Sequence, residues 1–279
     1  MQRCPPNEAQ THQLAELDDA FEAGVAAGQE QRAAILQPAD AVYGSLSTRQ
    51  VAQLLAIGEA SVKRLANAGS IGFLRSSRKD SRRFSPDHVL EYLRKLAGEA
   101  REFEAAFAAG DLAGSVAALM EEVGRGAALD DLLDERVFPG ASSAPRPLLF
   151  DLLARLPALV SEPRKSTPAF VKHFGPVNGC TAGLVECCLR SHGYSVLSAA
   201  ESNDSAELVD LVERVRAKVI VLLAGPERAA RTAAAQIAAS IAERLRGAVV
   251  AVYDGGRLPL TRGVSRIRSM RALGQLLRG

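Results

Sequence analysis

Between Ser45 and Leu96 the sequence carries two short helical patterns, separated by a break, that leave few folding options. Ser47 and Thr48 precede Val51, Leu54 and Leu55, an apolar set at helical spacing. A Ser or Thr at such a start caps the free backbone N–H groups of the first turn. Ile57-Gly58-Glu59 breaks the pattern, and a second helix is expected from Ala60 to Asn67. It closes at Ala68-Gly69, where glycine accepts a left-handed backbone. This is helix-turn-helix spacing, in which the second helix enters the major groove of duplex DNA. Val62 and Leu65 are expected to face the core. Ser61, Lys63 and Arg64 on the second helix, with Thr48 and Arg49 at the start of the first, are the candidates for DNA contact.

The residues that follow fit the same unit. Ile71, Phe73 and Leu74 predict a short strand, and Arg75, Arg78, Lys79, Arg82 and Arg83 crowd the next loop. Phe84 returns to the core, and Pro86 opens a third helix with Val89, Leu90, Tyr92 and Leu93 inward. The whole reads as helix-turn-helix, basic wing, helix. Ten Lys and Arg stand against four acids, a net charge of about +6 that favours a phosphate backbone. A solvated basic face on a protein-binding domain would explain the charge, but not its coincidence with the turn and the spacing. Leu46-Ser47, Val51-Ala52, Leu54-Leu55, Ser61-Val62-Lys63-Arg64, Gly69 and Arg82-Arg83-Phe84 resemble the winged helix-turn-helix of MerR and excisionase-type regulators. Those relatives carry a Gly-Gly-His-type wing tip, where this sequence has Arg78-Lys79-Asp80-Ser81.

The 279 residues suffice for two or three modest domains. The reading divides them into an arm at 1–44, partly helical or disordered, the winged unit at 45–97, a truncated helical bundle at 98–165 and an α/β domain at 166–279. The net charge of +2 hides an acidic start and a basic end, since residues 257–279 hold six arginines and no acid. No run of eighteen apolar residues predicts a membrane span, and MQRCPPNEAQ lacks a signal-peptide core, so a cytoplasmic location is expected. Cys4, Cys180, Cys187 and Cys188 do not suggest a disulfide framework.

In the bundle region Phe103, Phe107, Leu112, Val116, Leu119, Met120 and Val123 recur at helical spacing, with Asp111 as a cap. Leu129, Leu132, Leu133 and Val137 suggest another helix, Pro139 to Pro147 a loop, and Leu148 to Val160 a helix broken by Pro157. From residue 166 strand and helix patterns alternate. Ala169–His173, Tyr194–Ser198, the apolar run Lys218–Ala224, Ala248–Tyr253 and a short piece at Val264 are the expected strands. Continuous apolar runs belong to strands buried on both faces, so the domain is read as a doubly wound parallel sheet.

Phe107 to Asp111, Leu119 to Val123 and Leu129 to Asp134, with Val137-Phe138-Pro139, resemble the first helices of the bundle that caps cobalamin-binding domains. The order of all three regions resembles light- or cobalamin-sensing MerR regulators of the CarA and CarH group. The resemblance implies a lower-ligand pattern, acidic-x-His-x-x-Gly, after the first strand. Here that run is Asn178-Gly179-Cys180-Thr181-Ala182-Gly183, with cysteine where the family has histidine. Gly255-Gly256 matches a Gly-Gly beside the cofactor's tail, so Cys180, Gly183, Gly255 and Gly256 outline a vestigial pocket. The family's tryptophan and Glu-His pair over the upper face are missing. A thiol must ionise before it ligates, unlike imidazole. No cofactor is therefore expected, and the alternative is a regulator that senses cobalamin, haem or another small molecule. His173 is the nearest alternative ligand, His192 reads as a surface residue, and no His/Cys cluster has metal-site spacing. No catalytic set has defensible spacing, so no enzyme is expected. The sequence predicts a regulator that binds double-stranded DNA, forms homo-oligomers and can receive a protein partner. A ligand-sensing regulator and an antirepressor-type interaction module are the alternatives.

Overall fold

The computed structural model describes residues 45–74, 82–98, 102–141, 145–160, 167–199, 205–253 and 259–278. The arm at 1–44 lies outside them. Strand β1 (Leu46–Ser47) leads into α1 (Thr48–Leu55), and α2 (Glu59–Asn67) follows a three-residue turn. Ser47 caps α1 through a reciprocal pair: its Oγ accepts from Gln50 N at 3.3 Å, and Gln50 Oε1 accepts from Ser47 N at 2.9 Å. Ala56 ends α1 in the left-handed region at φ 52°, and Gly69 follows α2 at φ 73°. Strand β2 (Arg83–Phe84) pairs antiparallel with β1, Leu46 against Phe84 and Ser47 against Arg83. The expected strand Ile71–Leu74 is reduced to a single bridge, Leu74 to Arg83. Antiparallel continuation from that bridge would set Ile71 against Pro86, which opens the next helix and has no N–H to pair. Helix α3 (Pro86–Leu96) starts at Pro86 as expected, with Val89 and Leu93 inward.

The bundle contains α4 (Phe103–Ala108), α5 (Leu112–Gly124), α6 (Leu129–Leu132), a π-helical turn Leu133–Val137, α7 (Phe138–Gly140), α8 (Arg146–Arg155) and a 3₁₀ turn Leu156–Leu159. Asp111 caps α5, accepting from Gly114 N at 2.9 Å. The loop expected at Pro139–Pro147 is shorter than the sequence suggests, because helical backbone continues to Gly140 and resumes at Arg146. Both prolines sit in a first helical turn, where no N–H is required.

The sheet holds β3 (Pro168–Phe174), β4 (Ser195–Ala199), β5 (Val219–Ala224), β6 (Val249–Tyr253) and β7 (Val264–Ile267). All pair in parallel, in the order β4-β3-β5-β6-β7. This is the doubly wound sheet that the apolar runs predict. Because strand residues alternate between faces, Val171, Val219, Val221 and Leu223 join one core with α9 (Gly179–Ser191) and α12 (Met270–Arg278). Phe170, Ile220, Leu222 and Val252 join another with α10 (Ser205–Arg214) and α11 (Arg228–Arg244). The first core continues without interruption through the bundle into the helix-turn-helix unit.

That continuity has polar fastenings. Gln50, buried on α1, donates to Ala158 O at 3.1 Å, and Gln53 donates to Ala154 O at 2.7 Å. Arg155 returns a hydrogen bond to Leu54 O at 3.2 Å. Arg94 on α3 pairs with Glu121 on α5 at 2.7 Å. The left-handed Ala56 is the strained point of the turn, since a Cβ there meets the following carbonyl. Ala56→Gly is expected to raise stability by about 0.5–1 kcal/mol, because relief of that clash outweighs the extra freedom of glycine when unfolded. Urea denaturation of the full chain checks it, with no change in the far-ultraviolet spectrum.

Candidate nucleic-acid interface and the cap over the sheet

Helix α2 presents Ala60, Lys63, Arg64 and Asn67 to solvent and buries Val62 and Ala66. Leu65 is half-buried at the core margin. Ser61 is half-buried, and its Oγ accepts from Arg64 Nη2 at 3.0 Å, which orients that guanidinium along the helix. Thr48 is half-buried in the first turn of α1, and Arg49 is exposed beside it. Arg83 projects from β2, exposed. Arg75, Arg78 and Lys79, the wing-tip candidates, lie outside the described residues.

Arg82 is the exception among the DNA candidates. Its guanidinium turns back onto α2, donating to Lys63 O at 2.9 Å and Asn67 Oδ1 at 2.6 Å. It also lies 4.8 Å from the centre of the Phe73 ring. A carbonyl in the last turns of a helix is a good acceptor for a cation. Arg82 therefore serves as a strut that ties α2 to the start of β2, rather than as the outward phosphate contact that the sequence suggests. Nothing in the sequence singles out Asn67, because its role depends on a partner fifteen residues away.

The outlined cofactor pocket is not open where it is described. Asn178 caps α9, accepting from Cys180 N at 3.0 Å, and Cys180 Sγ lies 3.9 Å from Ala141 O of the bundle. Gly183 packs directly on α8: a Cβ there would sit 2.9 Å from Leu153 Cδ1 and 3.5 Å from the Phe150 ring. Gly225 after β5 is equally tight, with Pro176 O at 3.0 Å from a Cβ. On this face α8 lies directly against α9, and Gly255 and Gly256 lie outside the described residues. His173, next to last in β3, has Nε2 buried and without a hydrogen-bond partner. Burial pushes its pKa down, against Glu186 and aided by Lys172, which favours the neutral ring. Arg228 is exposed at the start of α11, and Arg257 lies outside the described residues.

A second cluster joins bundle and sheet. His192 is half-buried rather than a free surface residue, and its Nε2 lies 3.0 Å from Asp130 Oδ2. Cys188 Sγ donates to Asp130 Oδ1 at 3.4 Å, and Arg278 donates to Oδ2 at 2.9 Å. Burial pushes up the Cys188 thiol, as it does Cys187, which is pushed up to about 12. Asp130 is itself buried. Burial opposes its ionisation, yet His192, then Cys188 and Arg278, hold its carboxyl below the usual 3.8.

A helix-turn-helix unit carried on a helical bundle and a parallel sheet is the class that these elements define. Residues 45–97 match the family model of a helix-turn-helix domain. No curated protein matches the chain. Among solved structures it is similar to the monomethylamine corrinoid protein of Methanosarcina barkeri, at 11% identity and TM-score 0.40 over 62% of this chain and 94% of that one. It is similar to the methanol:cobalamin methyltransferase complex of the same organism, at 14% identity and TM-score 0.38 over 80% and 90%. A cobalamin-binding protein from Desulfitobacterium hafniense gives 15% identity and TM-score 0.37 over 63% and 95%. Among the described residues no helix is long and apolar enough to cross a membrane.

Arg82→Ala should cost the fold about 1–3 kcal/mol in urea denaturation, and Arg82→Lys should recover little, because lysine cannot reproduce the two-point fork. Full recovery by lysine would mean that only charge matters there. The Asp130 cluster sets an acid limit. A carboxyl lowered on folding adds stability above its unfolded pKa and loses it as pH falls through the folded value. Melting temperature should therefore drop as pH falls below about 4, and Asp130→Asn should flatten that acid limb while lowering the neutral plateau.

Proposed function

We propose that the protein is a DNA-binding transcriptional regulator of MerR type, not an enzyme, working in the cytoplasm. Its second half would make the oligomer, with no cobalamin or haem. One observation carries the reading. The bundle covers the helix-turn-helix unit through α1 and α3, by Gln50, Gln53 and Arg94, and leaves α2 outward with Lys63 and Arg64 exposed. The broad face left to the unit is the basic one that a major groove accepts. Arg49 and Arg83 flank it and would contact phosphates, which set register, while Ser61 and Arg64 would be left to read base edges.

The oligomer reading rests on the size of the unit. A single reading helix contacts one half-site, and regulators of this kind gain affinity by pairing two. Direct packing of α8 on α9 favours a protein-contact role for the second half over ligand sensing.

The test is fluorescence anisotropy with duplex DNA across a salt series, alongside mass by light scattering. Lys63→Ala with Arg64→Ala should weaken binding by about 1–3 kcal/mol for each side chain that reads a base, and lower the salt slope by about 1 for each phosphate left without its cation. Unchanged binding by that double variant would remove α2 as the reading helix. A monomer at DNA-binding concentrations would remove the oligomer.

A further inference from the structure

Outside the interface, the fold brings three metal-ligating side chains to one point. Cys188 and His192 stand four residues apart at the end of α9, on one side of it, and Asp130 reaches them from α6. Their ligand atoms all lie within 4.8 Å of one another. Asp130 Oδ1 is the shared corner, 3.4 Å from Cys188 Sγ and 3.2 Å from His192 Nε2. A tetrahedral zinc ion has Zn–S near 2.3 Å and Zn–N and Zn–O near 2.0–2.2 Å, so its donors are separated by roughly 3.3–3.6 Å. The two observed separations match those edges with little movement.

The surroundings are also those of a metal site. Asp130 and Cys188 are buried, and His192 retains 18% exposure, so entry and a fourth ligand come from its side. Arg278 donates to Oδ2 at 2.9 Å, and the imidazole spans both oxygens, 3.0 Å from Oδ2 and 3.2 Å from Oδ1, so Oδ1 is the oxygen that thiol and imidazole share. Such an outer partner orients a ligating carboxylate. Gly274 makes room for the carboxylate, since a Cβ there would overlap Asp130 Oδ2.

We propose that Asp130, Cys188 and His192 form a binding site for a zinc-class divalent ion, with one position open to water. The set is one sulfur, one nitrogen and one oxygen, which suits a borderline-soft ion and not magnesium or calcium. Binding releases the Cys188 proton to solvent and forms a thiolate–metal bond, with no change of oxidation state. The ion would tie α6 of the bundle to α9 of the sheet domain, so its occupancy would govern how firmly the two are joined. The inference is independent of DNA reading.

The test uses the full chain, stripped with chelator under reducing conditions and titrated with Co²⁺ alone, then with Zn²⁺. Wild type is expected to develop a near-ultraviolet thiolate-to-cobalt charge-transfer band with strong tetrahedral d–d bands, both displaced by zinc. Zinc should also raise its melting temperature. Cys188→Ala should abolish the charge-transfer band, and Cys180→Ala should leave it intact. Because Cys188 is buried and its replacement can disturb folding, His192→Ala gives an independent arm. That variant should weaken zinc binding by more than about 10-fold in competition with a chromophoric chelator. Absence of the band in wild type, its disappearance in Cys180→Ala instead, or unchanged zinc affinity in His192→Ala would each overturn the proposal.

Discussion

The structure depends on an acidic turn in the bundle that grips the last helix of the sheet domain. Asp134 accepts hydrogen bonds from Met270 N at 2.9 Å and Arg271 N at 2.8 Å, so a side chain from the bundle caps α12. Free N–H groups at a helix start attract a carboxylate by hydrogen bonding and by the helix dipole. Asp131 and Glu135 hold the Arg271 guanidinium, and Asp130 holds Arg278. The π-helical turn Leu133–Val137 carries Asp134 and Glu135. Exposed pairs of this kind are individually weak. The Asp134 cap and the buried Asp130 carry more weight, because breaking either strands polar groups that water reaches poorly. The basic end of the chain and the acidic helices of the bundle are thus two halves of one contact.

That contact sets the position of everything before it. With α12 fixed to α6 and the π turn, the bundle lies across α9, and α8 rests on Gly183. The 3₁₀ turn after α8 then offers Ala158 O to Gln50, and the helix-turn-helix unit docks by its first helix. Each step leaves α2 pointing away from the body. The docking through α1 and α3 thus keeps the face that carries Lys63 and Arg64 clear of the rest of the chain.

The same packing bears on the cap and sheet as a ligand site. A cleft at the carboxyl ends of parallel strands is the usual place for a ligand in this fold. Here Cys180 and Gly183 face bundle atoms instead. On this face the surfaces of the second half are taken up by internal packing.

The local elements are legible in the sequence because each depends on near neighbours. Helices α1 and α2, the Pro86 start, the Asp111 cap and the buried strands β5 and β6 follow from periodicity, caps and turn residues. The outward face of α2, with Lys63 and Arg64, follows from the same spacing, whereas Ser61 is half-buried. What sequence does not convey is where a side chain finds a distant partner. Arg82 looks like a wing phosphate contact because its basic neighbourhood is visible in the sequence, while Asn67 and the Lys63 carbonyl are not visible as its partners. The strand expected at Ile71–Leu74 does not form in full because its antiparallel partner strand ends where Pro86 opens a helix. His192 looks like a surface residue, although Cys188, four positions earlier on the same helix, is a signal. The missing member, Asp130, lies 58 residues from Cys188 and meets it only in the fold. Sequence alone determined the elements and their order, since helix and strand formation is governed over a few residues. The tertiary structure decided which polar groups meet, because hydrogen bonds and charges act over a few ångströms of space, whatever their separation along the chain.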